Sequence, residues 1–274
     1  MTISCRTNTP PFAIRVAAVF FIAGNFFIAP TVAQAACDFE LQGEGRVAAV
    51  TDARSFRLDD GREVRLAGVE LPAKMADGHA LEELALGRDV TLHGASDAPD
   101  RYGRQQAFVF VHGNDTSIQN RLLSQGSAVG SGNVADRACA VELAAAENDA
   151  RSARRGLWAD PAAIKNAEST ADILAEIGRF TLVEGKVISA RQAGATFYIN
   201  FGKRWIRDFA VTISRRMMPS FEAAGIKLGT LDTRRIRVRG FVEKRGGAPR
   251  MEVFAPGQIE LVNESGVASA GKSE

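Results

Sequence analysis

Short stretches in which apolar and polar residues alternate predict a chain built mainly from β-strands. Alternation with a period of two is typical of a strand with one buried and one solvated face. In the first half, Asp59-Asp60-Gly61 separates two such stretches, and an Asp-Gly pair is a strong hairpin signal. The strands predicted there are 45–51, 55–58, 63–69, 89–93 and 106–111. Longer-period patterns with capping residues predict helices at 77–86, 117–125 and 138–155.

The second half repeats part of this pattern. A helical linker at 162–177 precedes strands at 180–189, 196–201, 208–213, 234–243 and 251–254, with a helical piece at 219–224. Five short strands with a helix between the third and the fourth are the layout of an OB-type barrel. We therefore expect a mainly β fold with α, in which an OB barrel of order β-β-β-α-β-β-α-α is followed by a second OB-like β-barrel.

The breaks between these elements predict five segments. Gly156-Leu157-Trp158 and then Asp160-Pro161 end a long helical pattern and mark the main boundary. The predicted segments are a signal peptide at 1–35, a barrel domain at 36–160, a helical linker at 161–178, a second barrel domain at 179–262 and a disordered tail at 263–274.

The N-terminus has the layout of a cleaved secretory signal. Arg6 and Arg15 accompany a largely apolar run of 14 residues at 16–29, and the small-residue triplet Ala33-Gln34-Ala35 follows. We expect cleavage, a periplasmic or secreted protein, and no transmembrane segment in the mature chain. A retained anchor is the alternative, although a span usually needs ~20 unbroken apolar residues. Lipidation of Cys37 is a third possibility, against which Gln34 argues.

The charge balance conceals two oppositely charged halves. The 274 residues include 34 Lys and Arg against 32 Asp and Glu, and the excess lies in the signal segment. Residues 36–160 carry 14 basic and 20 acidic side chains, a net of −6, whereas residues 161–274 carry 18 and 12, a net of +6. Opposite charges favour contact between the two halves.

Two cysteines remain in the mature chain, and an even pair in an exported protein favours a disulfide. A bond between Cys37 and Cys139 would close a loop of about 100 residues and contribute ~4 to 5 kcal/mol in the chain-entropy model. Two buried free thiols are the alternative. Together with three isolated histidines, these cysteines offer no zinc spacing, so we expect no zinc site.

Four ordered motifs between residues 45 and 158 suggest the chemistry of the first half. They read Asp-Ala-Arg-Ser at 52–55, Arg-Leu-Ala-Gly-Val-Glu-Leu-Pro at 65–72, Asp-Arg-Tyr-Gly-Arg at 100–104, and Ala150-Arg151 followed by Gly-Leu-Trp at 156–158. In this order they resemble the thermonuclease family, which has the staphylococcal-nuclease-like fold. The resemblance implies an OB barrel and metal-dependent hydrolysis of phosphodiesters in DNA or RNA.

The resemblance places Arg65 and Arg104 in the family's two phosphate-arginine positions. A guanidinium matches phosphate oxygens bidentately and stays charged, so two of them suit a phosphorane that gathers negative charge. A pair of surface arginines in ordinary ion pairs is the alternative.

The acidic set that the family uses for its metal and its general base is incomplete. By resemblance, its two metal-ligand positions and its base position read Arg54, Glu70 and Ala73. Calcium takes six to eight oxygens; Asp52 and Glu70 remain as candidate metal ligands, whereas Arg54 opposes a cation. We hypothesise that Arg54 pairs with Glu70 and occupies the metal site electrostatically.

Two function classes follow. The first is an exported thermonuclease-like protein, non-catalytic or very weakly active and without a cofactor, that retains Arg65 and Arg104 for binding nucleic acid or another anionic partner. The second is an active phosphodiesterase in which Arg65, Arg104 and Glu70 are catalytic and calcium binds Asp52 and Glu70. We prefer the first because of Arg54 and Ala73. An Arg54 side chain that points into a pocket formed by Glu70, Arg65 and Arg104 would favour the first class, and one in solvent would favour the second.

The second half offers candidates for polyanion binding. Arg235, Arg237 and Arg239 alternate along one predicted strand, and Tyr198 and Trp205 supply aromatic rings. A basic groove with aromatic platforms is typical of proteins that bind single-stranded nucleic acid. Contact with the acidic first half or with a protein partner is the alternative, and a solvated basic strand face needs no ligand at all.

Overall fold

A closed five-stranded barrel forms the first half of the computed structural model, which describes residues 1–2, 37, 39–72 and 78–262. The elements of this half are β1 (Leu41–Asp52), β2 (Ser55–Leu58), β3 (Glu63–Leu66), β4 (Val69–Glu70), α1 (His79–Ala85), β5 (Asp89–His93), β6 (Arg104–Val111), α2 (Ile118–Gln125), β7 (Val129–Gly130) and α3 (Arg137–Ser152). The barrel order is β1-β2-β3-β6-β5, and β1 pairs with β5 to close it. The predicted strand and helix order is confirmed, with short β4 and β7 added.

Alternation decides which side chains fill the barrel. Phe56, Leu58, Val64 and Leu66 are buried in one apolar cluster, while the residues between them face outward. Arg65 on β3 is one of the outward residues, and it lies opposite Gln106 of the parallel strand β6.

Local capping signals begin and end the longer helices. Ser117 accepts a hydrogen bond from the Asn120 amide at the start of α2, and Asp136 accepts one from the Cys139 amide at the start of α3. Gly126 ends α2 at φ 71°, a conformation that glycine adopts readily. These caps explain why the sequence located both helices closely.

A disulfide joins the beginning of the barrel to α3. The sulfur atoms of Cys37 and Cys139 lie 2.14 Å apart, and both residues are fully buried within the apolar cluster of the barrel. The predicted disulfide is therefore confirmed, and it covers a sequence separation of 102 residues.

The second half is an eight-stranded sheet rather than a recognisable second barrel. Its elements are β8 (Ile164–Asn166), α4 (Thr170–Leu174), β9 (Phe180–Lys186), β10 (Ser189–Ala193), β11 (Thr196–Asn200), β12 (Ala210–Ser214), α5 (Met218–Ala223), β13 (Arg235–Arg245), β14 (Ala248–Glu252) and β15 (Ile259–Leu261). The sheet follows the order β10-β11-β12-β14-β13-β9-β8, with β15 also paired to β13. The prediction of a second OB-like barrel is not confirmed, because this strand path does not return to its first strand.

Two segments differ from their predicted structure. Within the expected helical linker, only Thr170–Leu174 is α-helical, and Ile164–Asn166 is a strand parallel to β9. The strand expected at 180–189 ends at Lys186, and Ser189 begins β10, which pairs with β11. Both differences arise because neighbouring strands supply hydrogen-bond partners that the local sequence does not reveal.

The two halves meet through an apolar cluster. Val129, Ala150 and Trp158 of the first half pack with Phe180 and Leu182 of β9. Within the described part of the chain, no helix has the length and apolarity needed to cross a membrane. The predicted signal peptide, beyond its first two residues, and the predicted tail lie outside the described residues.

Candidate functional site

A tight turn between β1 and β2 positions the Arg54 side chain. Asp52 Oδ1 accepts a hydrogen bond of 2.8 Å from the Arg54 amide, and Asp52 pairs with Ser55 in the strand register. The Arg54 carbonyl accepts a hydrogen bond from the Leu66 amide of β3. Hydrogen bonds to Asp52 of β1 and to Leu66 of β3 thus hold the backbone of Arg54 in place.

The Arg54 guanidinium reaches β4 and forms an ion pair with Glu70. Arg54 Nη1 contacts Glu70 Oε1 and also donates to the Val69 carbonyl at 3.0 Å. Only 15% of the Arg54 side chain and 16% of the Glu70 side chain are exposed. Burial raises the pKa of the Glu70 carboxyl, and the charge of Arg54 opposes that rise. The hypothesised pairing of Arg54 with Glu70 matches this geometry.

Arg65 lines the same cavity as Arg54 and Glu70. This barrel cavity has a volume of about 350 Å³. Its wall on the side of the first half is formed by the Arg54 turn, residues 65–70 of β3 and β4, Gln106 of β6, and Ser131 and Asn133 after β7. None of the ion pairs among the described residues involves Arg65. Its guanidinium is therefore available to an anion that enters the cavity.

Arg104, the second predicted phosphate arginine, has a carboxylate partner. Its Nε and Nη2 atoms donate to Asp100 Oδ2 at 3.1 and 2.8 Å, and its guanidinium lies 4.9 Å from the Tyr102 ring centroid. These hydrogen bonds lower the pKa of Asp100 to about 2. Arg104 is not among the residues that line the barrel cavity. The sequence placed Arg65 on the third strand and Arg104 before the fifth. The structure puts them on the paired strands β3 and β6, but it does not bring both into the lining of one cavity.

The second half supplies the opposite wall of the barrel cavity. This wall includes three aromatic residues, Phe180, Phe241 and Phe254, and two carboxylates, Glu243 and Glu252. Both carboxylates accept hydrogen bonds from Arg245. Sequence reasoning missed these residues, because nothing local in β13 or β14 indicates that they face the Arg54 turn.

The acidic groups at this site do not suit a calcium ion. Glu70 is bound to Arg54, and Asp52 accepts a hydrogen bond from the Arg54 amide, although both acids line a second, smaller pocket beside the cavity. Across the residues that the structure describes, no cluster of three His, Cys, Asp or Glu residues could hold a metal ion. Ala73, the position of the expected base, lies outside the described residues.

The three arginines of β13 that were candidates for polyanion binding, Arg235, Arg237 and Arg239, all have carboxylate partners. Arg237 binds Glu184 and Glu260 at 2.7 and 2.9 Å, and Arg235 binds Glu184 at 2.8 Å. Arg239 binds Glu147 of α3 at 2.8 Å and donates to the Gly130 carbonyl. Arg239 therefore docks against the first half, whereas Arg235 and Arg237 pair with carboxylates of the second half. The pairing leaves little guanidinium surface for a polyanion at Arg237 and Arg239, and the Arg235 side chain stays 48% exposed.

Tyr198 and Trp205 lie apart from this arginine stripe. Both line a separate groove on the β10, β11 and β12 face of the second sheet, together with other arginines. The candidate polyanion residues therefore divide between two surfaces.

Comparison with known proteins bears on the first half alone. Residues 63–160 match the model of a family described as staphylococcal nuclease homologue. The matched segment includes Arg65, Glu70 and Arg104 and begins after the Arg54 turn. No match to the chain was found among curated proteins. The resemblance indicated by the motifs is thus confirmed for residues 63–160.

Proposed function

Because residues 63–160 form a staphylococcal nuclease homologue domain, we propose that the protein is a thermonuclease-like anion-binding protein with little or no nuclease activity. The ion pair between Arg54 and Glu70 is the observation that carries this proposal. It puts a fixed cation where the family resemblance expects a carboxylate and a metal ion.

Electrostatics explains why this pair opposes metal binding. A divalent ion at Glu70 would lie beside the Arg54 guanidinium, and like charges a few ångströms apart repel strongly in a partly buried site. Breaking the pair to admit the ion would leave Arg54 without its carboxylate partner. Hydrolysis by the family's route also needs a proton acceptor, and Ala73 offers none.

Arg65 provides the anion-binding element. Its charge is permanent, its fork of donors fits phosphate oxygens, and it faces a cavity large enough for one nucleotide-sized group. Phe180 and Phe241 stand edge to face with ring centroids 5.4 Å apart on the opposite wall. This combination supports nucleic acid or another phosphate-bearing partner as the ligand class. Arg104 would contribute if a phosphate of the ligand replaced Asp100 as its partner.

A nuclease assay on the purified protein tests the loss of activity. We expect no calcium-stimulated cleavage of single-stranded DNA, duplex DNA or RNA, and robust metal-dependent turnover would establish the active phosphodiesterase instead. The double variant Arg54→Asp with Ala73→Glu restores two missing acids. A gain of cleavage would show that these two positions account for the loss, and no gain would show that more of the site has changed.

A binding assay in the presence of a chelator tests the remaining function. Labelled oligonucleotides should bind the protein without metal. Arg65→Ala should weaken this metal-independent binding by about fivefold or more. Arg46→Ala is the matched control, because Arg46 is an exposed barrel arginine outside the cavity. Equal effects of the two substitutions would contradict a role for Arg65 in the cavity.

Export is a further part of the proposal. The N-terminal layout of residues 1–35 and the disulfide between Cys37 and Cys139 support a periplasmic or secreted location, since structural disulfides persist in oxidising compartments. Mass spectrometry of the protein from fractionated cells tests it. A mature chain that begins near Cys37 is expected, and an uncleaved chain in the cytoplasmic fraction would contradict export.

A further inference from the structure

The outer face of the second sheet contains a groove that shares no residue with the barrel cavity. This sheet groove has a volume of about 540 Å³ and is formed by β10, β11, β12, the ends of β13 and β14, and the loop that carries Trp205. The residues that define it are Arg191, Tyr198, Trp205, Thr212, Arg245 and Arg250.

Strand register explains how three of these side chains come together. Arg191 lies opposite Tyr198, and Tyr198 lies opposite Thr212, so the three form one row across β10, β11 and β12. The next residue in the row is Glu252 of β14, which is bonded to Arg245 and faces the barrel cavity. The row therefore presents a cation, an aromatic ring and a hydroxyl to the sheet groove.

The electrostatic character of the sheet groove is positive. Three arginines line it, and no carboxylate belongs to its described lining. Arg250 donates to the backbone carbonyls of Asp208 and Trp205, and no ion pair among the described residues involves Arg191. Arg245 is already paired with Glu243 and Glu252, so an anionic ligand would meet the charges of Arg191 and Arg250, which have no carboxylate partner among the ion pairs of the described residues.

Trp205 forms an exposed aromatic wall. Trp205 is 62% exposed to solvent, and the neighbouring Ile206 is 59% exposed. The loop is held in place by Arg250, which donates to the Trp205 carbonyl, and by Asp208, which accepts from the Arg204 amide at 2.8 Å. A large aromatic residue held in solvent beside a concave basic surface is typical of a binding site.

An unsatisfied hydroxyl at the base of the sheet groove is an independent sign of a ligand. Thr212 is only 6% exposed, it lines the groove, and its Oγ1 has no hydrogen-bond partner among the described residues. A buried polar group without a partner is unfavourable, and such groups are usually satisfied by something that the protein chain does not provide.

We propose that the sheet groove binds a short segment of single-stranded nucleic acid. Bases stack on Trp205 and Tyr198, phosphates pair with Arg191 and Arg250, and a polar group of the ligand bonds to Thr212. Single strands fit this site because their bases are free to stack on aromatic rings, whereas duplex bases are not. A concave surface with a polar base also fits a strand better than the flat surface of a membrane. The proposal does not depend on the barrel cavity.

Binding of labelled single strands to the full chain tests this proposal. Oligonucleotides of about ten residues should bind at low salt, and the affinity should fall with added salt as phosphate contacts require. Trp205→Ala should weaken binding about tenfold, and Arg191→Ala should reduce the salt slope by about 0.7. Arg216→Ala, an exposed arginine of the same half outside the groove, is the control and should change neither quantity.

Thr212→Val separates a binding role from a structural one. The substitution keeps the shape and removes the unsatisfied hydroxyl, so stability in urea should stay equal or rise while the affinity falls about threefold. Unchanged affinity in this variant would remove Thr212 from the site. Single-strand binding that Trp205→Ala weakens in the wild-type and in the Arg65→Ala background alike belongs to the sheet groove, and binding that only Arg65→Ala weakens belongs to the barrel cavity, so failure of this proposal and failure of the barrel-cavity function are distinguishable.

Two results would overturn the proposal. One is duplex binding as tight as single-strand binding, with no effect of Trp205→Ala on either. The other is sedimentation with vesicles of equimolar phosphatidylglycerol and phosphatidylcholine that requires Trp205, in the absence of oligonucleotide binding, because the loop would then be a membrane contact.

Discussion

Arg235, Arg237 and Arg239 of β13 lie on the same sheet as Arg191 of the sheet groove, yet their neighbours differ. Arg237 lies between Glu184 of β9 and Glu260 of β15 in the strand register, and it binds both carboxylates. Arg191 lies opposite Tyr198 and belongs to the strand at one end of the sheet order. The cross-strand neighbours, rather than the number of arginines, decide which surface keeps charge for a ligand.

The barrel shows the same difference on a smaller scale. Arg54 and Arg104 have carboxylate partners in Glu70 and Asp100, whereas Arg65 has no ion pair within the described residues. Of the three arginines in the thermonuclease-like motifs, Arg65 therefore keeps its charge for an anionic ligand, whereas Arg54 and Arg104 are each paired with a carboxylate of the protein.

The largest expected effect comes from breaking the ion pair between Glu147 of the first half and Arg239 of the second. Glu147 is 2% exposed and binds Arg239 through both of its carboxylate oxygens. Glu147→Leu should lower the free energy of unfolding by about 3–5 kcal/mol, because it removes the bidentate carboxylate partner of a buried guanidinium. Urea denaturation measures this. The double variant Glu147→Leu with Arg239→Met should recover most of the loss, and a double variant as unstable as the single one would contradict this explanation.

Removing Arg54 should have the next largest effect. Arg54→Met leaves Glu70 partly buried without its cation and should cost about 1–3 kcal/mol of unfolding free energy at neutral pH. Burial already raises the pKa of Glu70 above 4.5, so the folded protein favours the protonated carboxyl. The stabilisation linked to this protonation is fully present below about pH 4.5 and is lost as pH rises through the folded-state pKa. Without Arg54 that pKa should rise further, and the loss should be larger. Arg46→Met, at an exposed site, should leave the pH dependence unchanged.

Asp100→Asn tests whether pairing restrains Arg104. The variant should bind oligonucleotides about threefold more tightly, because the guanidinium no longer has a competing carboxylate. The pKa of Asp100 is lowered from 3.8 to about 2, so its stabilising contribution is present above pH 3.8 and is lost as pH falls through about 2. Urea midpoints of wild type and variant should therefore differ above pH 4 and converge towards pH 2. Unchanged affinity would show that Arg104 lies too far from the ligand.

The smallest effect is expected at the exposed end of the β13 stripe. The Arg235 side chain is 48% exposed, so Arg235→Ala should change the free energy of unfolding by only about 0.2–1 kcal/mol. Arg237→Ala, where the side chain is 9% exposed between two carboxylates, should cost more. Equal losses in urea would mean that the position of an arginine along the stripe does not matter.

Local signals account for the parts of the fold that the sequence predicted. Ser117 and Asp136 accept hydrogen bonds from amides three residues later, and Gly126 ends α2 directly, so these helices are encoded within one or two turns. Strands β8, β10 and β15 were missed because they are three to five residues long and acquire strand geometry by pairing with β9, β11 and β13.

The sequence by itself determined the order of the barrel elements, the pairing of Cys37 with Cys139, and the absence of acids at Arg54 and Ala73. Only the tertiary structure decided that the second half would cover the Arg54 cavity and that Arg239 would meet Glu147, 92 residues away. The physical reason is range. Caps, turns and alternation act between near neighbours along the chain, whereas an ion pair depends on which distant carboxylate the packing brings within about 3 Å of a guanidinium.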